Sequence, residues 1–448
     1  MSTSDEDESA GVDVGLLLRR GGVRALIGVG GTAVAWLGVN ALLARLPTPA
    51  ELGVFFLAQA SAMIAATGAR AGMTHAAVRL IAAAMGRGDG LAARAALRTT
   101  LLLGLLGGVV VSLALWLGGG RWLAYRVLGS SLLADFAGLL ALWTLILTAQ
   151  FLVAEALRAF HRIGAAVVLA PGATNILFFP VAAWMWFRSG VAPVEDVLPS
   201  LVATHATALV VAALLLWSVG RSLPKGGHAS ASGVMALAAP LLLSDLAFVI
   251  SSRGDLWLVG SFESDAHVAL YGAAAQLCLL ISMSIKVVNS VIPPIIAELF
   301  VRGERVQLEG TLQYTATLAS VPAIAGFLVF LIAGPQILEF IYGEFYRDAA
   351  LVLVILAAGH VCHVVVGSVG LTLMMTKHEH ATMRLSMLGA AIMVGGCLAG
   401  GAVAGIVGVA VATAASLVVT NISMWFVVRT QLRVSTHASL LRLRRQSP

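Results

Sequence analysis

The sequence predicts an all-α polytopic membrane protein of about twelve transmembrane helices, arranged as two parallel, pseudo-symmetric six-helix lobes. Three observations carry this expectation. Of the 448 residues 59% are apolar and only 11% charged, with 47 glycines, too few charges to clothe a water-facing surface. Windows free of Asp, Glu, Lys and Arg recur from end to end, each long enough to cross a hydrocarbon core of about 30 Å at about 1.5 Å per residue. The second half of the chain also repeats features of the first at an offset of about 216 residues, so that Arg87-Gly88-Asp89 falls beside Arg302-Gly303-Glu304 and Leu97, Thr100 and Leu103 beside Leu312, Thr315 and Leu318.

The spans follow in order. Residues 25–44 form the first, and Leu52 to about Ala84 the second, which carries Arg70 and Arg79. Residues 99–120, 136–154, 163–187 and 197–220 complete the first half. Val234 to about Val259 is the seventh, with Asp245 and Arg253, and 266–285, 310–338 and 349–376 come next. The 44 uncharged residues of 385–428 are two spans folded at the turn near Gly400 to Gly405. The resulting organisation is a tail (1–21), an N-lobe (22–220), a linker (221–233), a C-lobe (234–430) and a basic tail (431–448). The linker lies within the Gly/Ser/Pro-rich stretch Gly220 to Gly233. An even number of spans per half sends both halves into the membrane in the same direction, which is a transporter architecture.

Orientation follows from the cations, which are retained on the cytoplasmic side. Placing both termini there puts 20 of the 28 Lys and Arg inside, leaves Arg45, Arg121, Arg126, Arg188 and Arg347 outside, and leaves three within spans. The net charge of +6 is thereby a topology signal that requires no nucleic acid. The acidic run Ser4 to Ser9 lacks the basic n-region of a signal peptide. Cys278, Cys362 and Cys397 sit singly in apolar spans and read as small core residues rather than a disulfide or metal set. The sequence contains no HExxH, GxSxG or P-loop motif and no soluble loop beyond roughly twenty residues. Neither an enzyme nor a cofactor is expected.

Ionisable groups inside spans cost about 2.5–3.5 kcal/mol each on insertion scales and are candidate functional residues. They are Arg24 at the start of span one, Arg70 on span two, Asp245 and Arg253 on span seven and Lys286 on span eight. Arg24 and Arg79 are equally placed to snorkel to the interface, and Arg253 with Asp255 to form a surface pair. Asp245 has two readings, a proton or sodium coupling site or a counter-ion to Arg70 or Lys286. Arg70 and Lys286 are 216 residues apart, so the repeat places a cation at equivalent points of the two halves. His205, His360 and His363 read as satisfied packing residues, and Glu155 with Arg158 as a structural i, i+3 pair. Pro240, Pro293 and Pro294 are expected to break helices seven and eight. The basic tail from Arg429 to Arg445 reads as a positive flank or an inner-leaflet segment.

The order of residues resembles the polysaccharide-biosynthesis flippases of the MOP exporter superfamily, the Wzx-like oligosaccharide-lipid translocases. The resemblance runs from about Leu18 to Leu432 and is densest in LLARLPTPAELGVFFLAQ, EALRAFHRIGAA and SSRGDLWLVGSFESDAHVALYGAAAQL. It implies a central V-shaped cavity between the lobes, lined by helices one, two, seven and eight. It implies as substrate an undecaprenyl-diphosphate-linked oligosaccharide, moved from the inner to the outer leaflet of the bacterial cytoplasmic membrane for surface polysaccharide synthesis. Membrane lipids and a glycan polymerase machinery are its implied partners. Arg24, Arg70, Arg253 and Lys286 lie on the four helices named, and Arg253-Gly254-Asp255 matches the family's Arg-x-Asp, whereas Lys286 stands at a usually apolar position. A diphosphate headgroup needs replacement of its hydration, which arginine supplies in bidentate fashion. A membrane potential negative inside favours export of a dianion by roughly 4–5 kcal/mol per 100 mV. The competing expectation is a cation-coupled multidrug antiporter of the same superfamily, which wants an acidic cavity.

Overall fold

The computed structural model describes residues 35, 37–224, 226–227 and 229–439, with no strand among them. Helix α1 is described over 37–45. It is followed by α2 (Pro49–Arg70), α3 (Met73–Gly86), α4 (Gly90–Ala114), α5 (Ala137–Ala159), α6 (Ile163–Val168), α7 (Pro171–Leu177), α8 (Phe179–Ser189) and α9 (Val194–Arg221). After the linker come α10 (Ala231–Phe262), α11 (Asp265–Ile281), α12 (Met283–Val291), α13 (Pro293–Arg302), α14 (Arg305–Tyr342), α15 (Ala350–Val366), α16 (Val369–Met375) and α17 (Glu379–Val427). Arg24, the acidic run Ser4 to Ser9 and the basic residues beyond position 439 lie outside the described residues.

Eight helices among the described residues are long and apolar enough to cross a membrane, nine if α11 and α12, bent by 46° at Ser282, act as one span. Helix α17 is two arms: Ala404 and Gly405 leave the helical region, Ser416 donates to Gly389 O at 2.8 Å, and Gly400 meets Gly408 backbone to backbone. This is the turn expected at Gly400 to Gly405. With the broken segment α6–α8 and the helix ending at residue 45, the arrangement is consistent with about twelve crossings.

The repeat is visible in the helix starts. Thr48 caps α2 in a capping box: Glu51 N donates to its hydroxyl and Thr48 N to the Glu51 carboxylate at 2.7 Å. Ser264, 216 residues on, caps α11 through His267 N. Gly88 and Gly303, in the loops before α4 and α14, both adopt a left-handed φ, of 70° and 73°.

The two lobes meet along α2. At the end away from the linker, Gly53 lies so close to Asp265 O that a Cβ would fall 1.7 Å from it. Phe56 packs on Gly272, Leu57 on Gly260, and Trp257 Nε1 donates to Ser61 at 2.8 Å. Toward the linker, the chain breaks between α2 and α3 at Ala71 and Gly72, both left-handed, and Gly72 presses on the backbone of Ala238. Helix α10 runs through position 240 without interruption, correcting the expected break at Pro240; the break expected at Pro293 and Pro294 is present, at Ile292, and Pro293 opens α13 as its first residue. There the missing N–H costs nothing.

Candidate substrate-binding wall

Four spans of the C-lobe place polar groups on one wall. The bend at Ser282 turns α12 away from the axis of α11 and leaves Lys286 exposed one turn later. Ser282 Oγ lies 2.7 Å from His360 Nδ1 on α15, and His363, one turn on, lies 2.8 Å from Asn421 Oδ1 on α17. Both histidines are within electrostatic reach of the Lys286 ammonium. Arg253, half-buried on α10, is within reach of Lys286 as well. Neither cation makes an ion pair among the described residues.

The obvious carboxylate is held elsewhere. Asp255 is 8% exposed and accepts the Tyr271 phenol at 2.8 Å and Leu256 N at 2.9 Å. Thr413 Oγ1 lies 3.3 Å from the same phenol. Arg253 and Asp255 are therefore not a surface pair: two residues apart on a helix, about 200° around its axis, one is half-open and one buried, although Asp255 stays within electrostatic reach of Arg253. This leaves the wall net positive, a surface suited to an anionic headgroup.

The N-lobe cation is placed differently. Arg70, 7% exposed in the last turn of α2, donates from Nη2 to Thr67 Oγ1 at 2.7 Å, and its guanidinium stacks 3.9 Å from the Phe151 ring centroid on α5. Buried Arg70 and exposed Lys286 thus have different surroundings, despite their equal place in the repeat. Asp245 is no contact partner of either: its Oδ1 lies 2.9 Å from His75 Nε2 on α3, so the bond spans the two lobes, with Arg70 in electrostatic reach.

His75 was not singled out by the sequence. A lone histidine on an apolar helix carries no periodic signal, and its partner is 170 residues away. His205 is satisfied by Gln150 at 2.8 Å and Asn175 at 3.2 Å, Glu155 pairs with Arg158 at 3.1 Å, and Arg79 is exposed. Among the described residues no group of His, Cys, Asp and Glu is arranged to hold a metal, and the three cysteines are unpaired.

Two lobes of broken helices joined along α2, with a cationic wall on one of them, define a multi-pass membrane protein of the transporter type. A model of the family described as polysaccharide biosynthesis protein matches residues 18–300, and the chain belongs to that family. It is 24% identical over 346 residues to the probable low-salt glycan biosynthesis flippase Agl15 of Haloferax volcanii, covering 75% of this chain and 68% of that protein. Its fold is similar to an inward-facing multidrug resistance MATE family transporter of the MOP superfamily, with a TM-score of 0.72 at 16% identity over 93% of this chain and 96% of that one. It is also similar to the lipid II flippase MurJ in an inward closed conformation, with a TM-score of 0.70 at 13% identity over 91% and 87% of the two chains.

Proposed function

We propose that this protein flips a polyprenyl-diphosphate-linked oligosaccharide from the cytoplasmic to the outer leaflet of the bacterial inner membrane, both termini being cytoplasmic. The observation that carries this reading is the exposed Lys286 beside half-buried Arg253, two cations without an ion-paired carboxylate on one wall of the C-lobe. Such a pair inside a membrane is costly unless a ligand anion completes it, and a diphosphate carries the charge required. Arg253 offers a planar fork to phosphate oxygens and Lys286 a mobile point charge. Family membership and the flippase relative support the same substrate class. Arg24 and Arg70 belong to the proposal as supporting cations, Arg70 from within its lobe.

Extraction of polyprenyl-linked glycans from a deletion strain tests it. Lipid-linked oligosaccharide should accumulate on the cytoplasmic leaflet and surface polysaccharide should fall. Complementation with Lys286→Ala or Arg253→Ala should fail at normal protein abundance, and Lys286→Arg should restore part of the activity. Unchanged glycan-lipid pools combined with new drug sensitivity would replace this reading with the multidrug antiporter.

A further inference from the structure

Residues 433–439, which follow the last helix, pack against the C-lobe. Following a π-helical turn at Val428–Leu432, the chain turns at Arg433, whose φ is 57°, and residues 434–439 run irregularly, with a bend at His437, against the C-lobe. Val434 is 1% exposed and Thr436 fully buried. The segment tracks the start of α14: Ser435 N donates to Glu309 Oε1 at 3.3 Å and Ser439 N to Thr317 Oγ1 at 2.9 Å. His437 meets Trp425 of α17 edge to face at 5.6 Å and accepts its indole N–H at 3.3 Å.

Its other side lies against a break in the tenth span. Helix α15 ends at Gly367, with φ 86° and ψ −163°, and the chain resumes as α16 at Val369. A helix end buried in the lobe leaves carbonyls that water cannot satisfy. The segment supplies the donors: Ala438 N bonds Val365 O at 2.8 Å and the Thr436 hydroxyl bonds Val366 O at 2.9 Å. Gly367 is required for the approach, since a Cβ there would fall 2.6 Å from Thr436 O. The next residue, Ser368, donates to Asn289 on α12. Asn289 is three residues from Lys286, on the same face of the helix.

We propose that residues 433–439 form a strap that splints the break in the tenth span and, through Ser368 and Asn289, positions Lys286, which makes Thr436 and Ala438 positioning residues for the anion-binding wall. The importance of that wall rests on the proposed function; the mechanical link does not. With Cys278→Ala, Cys362→Ala and Cys397→Ala in the full chain, Lys286→Cys gives a reporter whose labelling by a water-soluble maleimide needs no substrate. Thr436→Val removes the hydroxyl at nearly constant volume and Ala438→Pro removes the N–H. Each should change the labelling rate at position 286 by about three- to tenfold, the equivalent of one lost hydrogen bond. Met85→Cys, exposed on α3, should label as before. Thr436→Ser should restore the rate. In the unlabelled chain with Lys286 intact, Thr436→Val should raise KM for the lipid-linked substrate more than it lowers kcat. If Thr436→Val folds and labels at position 286 like its parent, the strap proposal is wrong, even where thermal stability falls. If labelling follows the strap but the wild-type chain moves no lipid-linked glycan, the link stands and the proposed function fails.

Discussion

Replacing Asp245 by asparagine separates two roles that one carboxylate between the lobes is able to play. Its bond to His75, at 2.9 Å, joins α10 to α3, and the two side chains are 20% and 57% exposed. A hydrogen bond to a charged group contributes about 1.5–3 kcal/mol when dry. The openness of His75 to its surroundings reduces this to about 1 kcal/mol, or about fivefold in the balance between joined and separated lobes. Asp245 also lies in the field of Arg70, which is within electrostatic reach of Glu155 as well and otherwise touches Thr67 and a phenyl ring. Neutralising it removes part of the compensation for a buried cation, where complete loss of a partner costs about 3–5 kcal/mol. Because Asp245 does not touch Arg70, a share of about 1–2 kcal/mol is expected. Asp245→Asn should therefore lower stability by about 2–3 kcal/mol in all, while His75→Gln, which removes only the bridge, should cost about 1 kcal/mol. Thermal unfolding in detergent of both variants and the double variant gives the coupling energy, beside a flipping assay run with and without proton and sodium gradients. If Asp245→Asn unfolds like the wild type yet transports without regard to either gradient, the carboxylate is a coupling site and the counter-ion reasoning is wrong.

Other positions give independent checks. Gly53→Leu places a side chain where Asp265 O already sits 1.7 Å from a Cβ; the seam away from the linker should open, and Ser61→Cys should become several-fold more reactive to reagent added from that side. Equal reactivity would mean that the seam does not hold the lobes in this state. Tyr271→Phe deprives buried Asp255 of its phenol donor and should cost about 1.5–3 kcal/mol in unfolding experiments. Gly367→Ala must hold φ at 86° against Thr436; a loss of about 1–3 kcal/mol is expected, and a stable alanine variant would show that the tenth span tolerates another path.

Much of the architecture was written in spacing. Charge-free windows located the spans, the glycine run at 400–405 located the hairpin of α17, and the 216-residue offset recurs in the caps Thr48 and Ser264. Side-chain direction was not legible. Arg70 and Lys286 share a register, but the first is buried against Thr67 and Phe151 and the second lies exposed. Spacing also conceals pairing across distance: nothing in an apolar helix announces that His75 meets Asp245, or that Tyr271 holds Asp255. The segment 433–439 has the composition of an ordinary flank, and only the carbonyls of Val365 and Val366, left by the helix end at Gly367 in three dimensions, give it a place.

The bond between Tyr271 and Asp255 also bears on how the chain is made. Helix α10 carries Asp245, Arg253 and Asp255, and each such group near a helix centre opposes entry into lipid by about 2.5–3.5 kcal/mol. The donor that satisfies Asp255 is on the next helix, sixteen residues later, beyond the two-residue turn at Glu263 and Ser264. The seventh span is thus a poor guest of the bilayer until the eighth has been synthesised. The translocon should release the two together as a hairpin, with the aspartate already covered. A substitution at Tyr271 would then act first during biosynthesis, as a fraction of chains whose C-lobe enters with the wrong number of crossings, before it acts on the stability of those that fold.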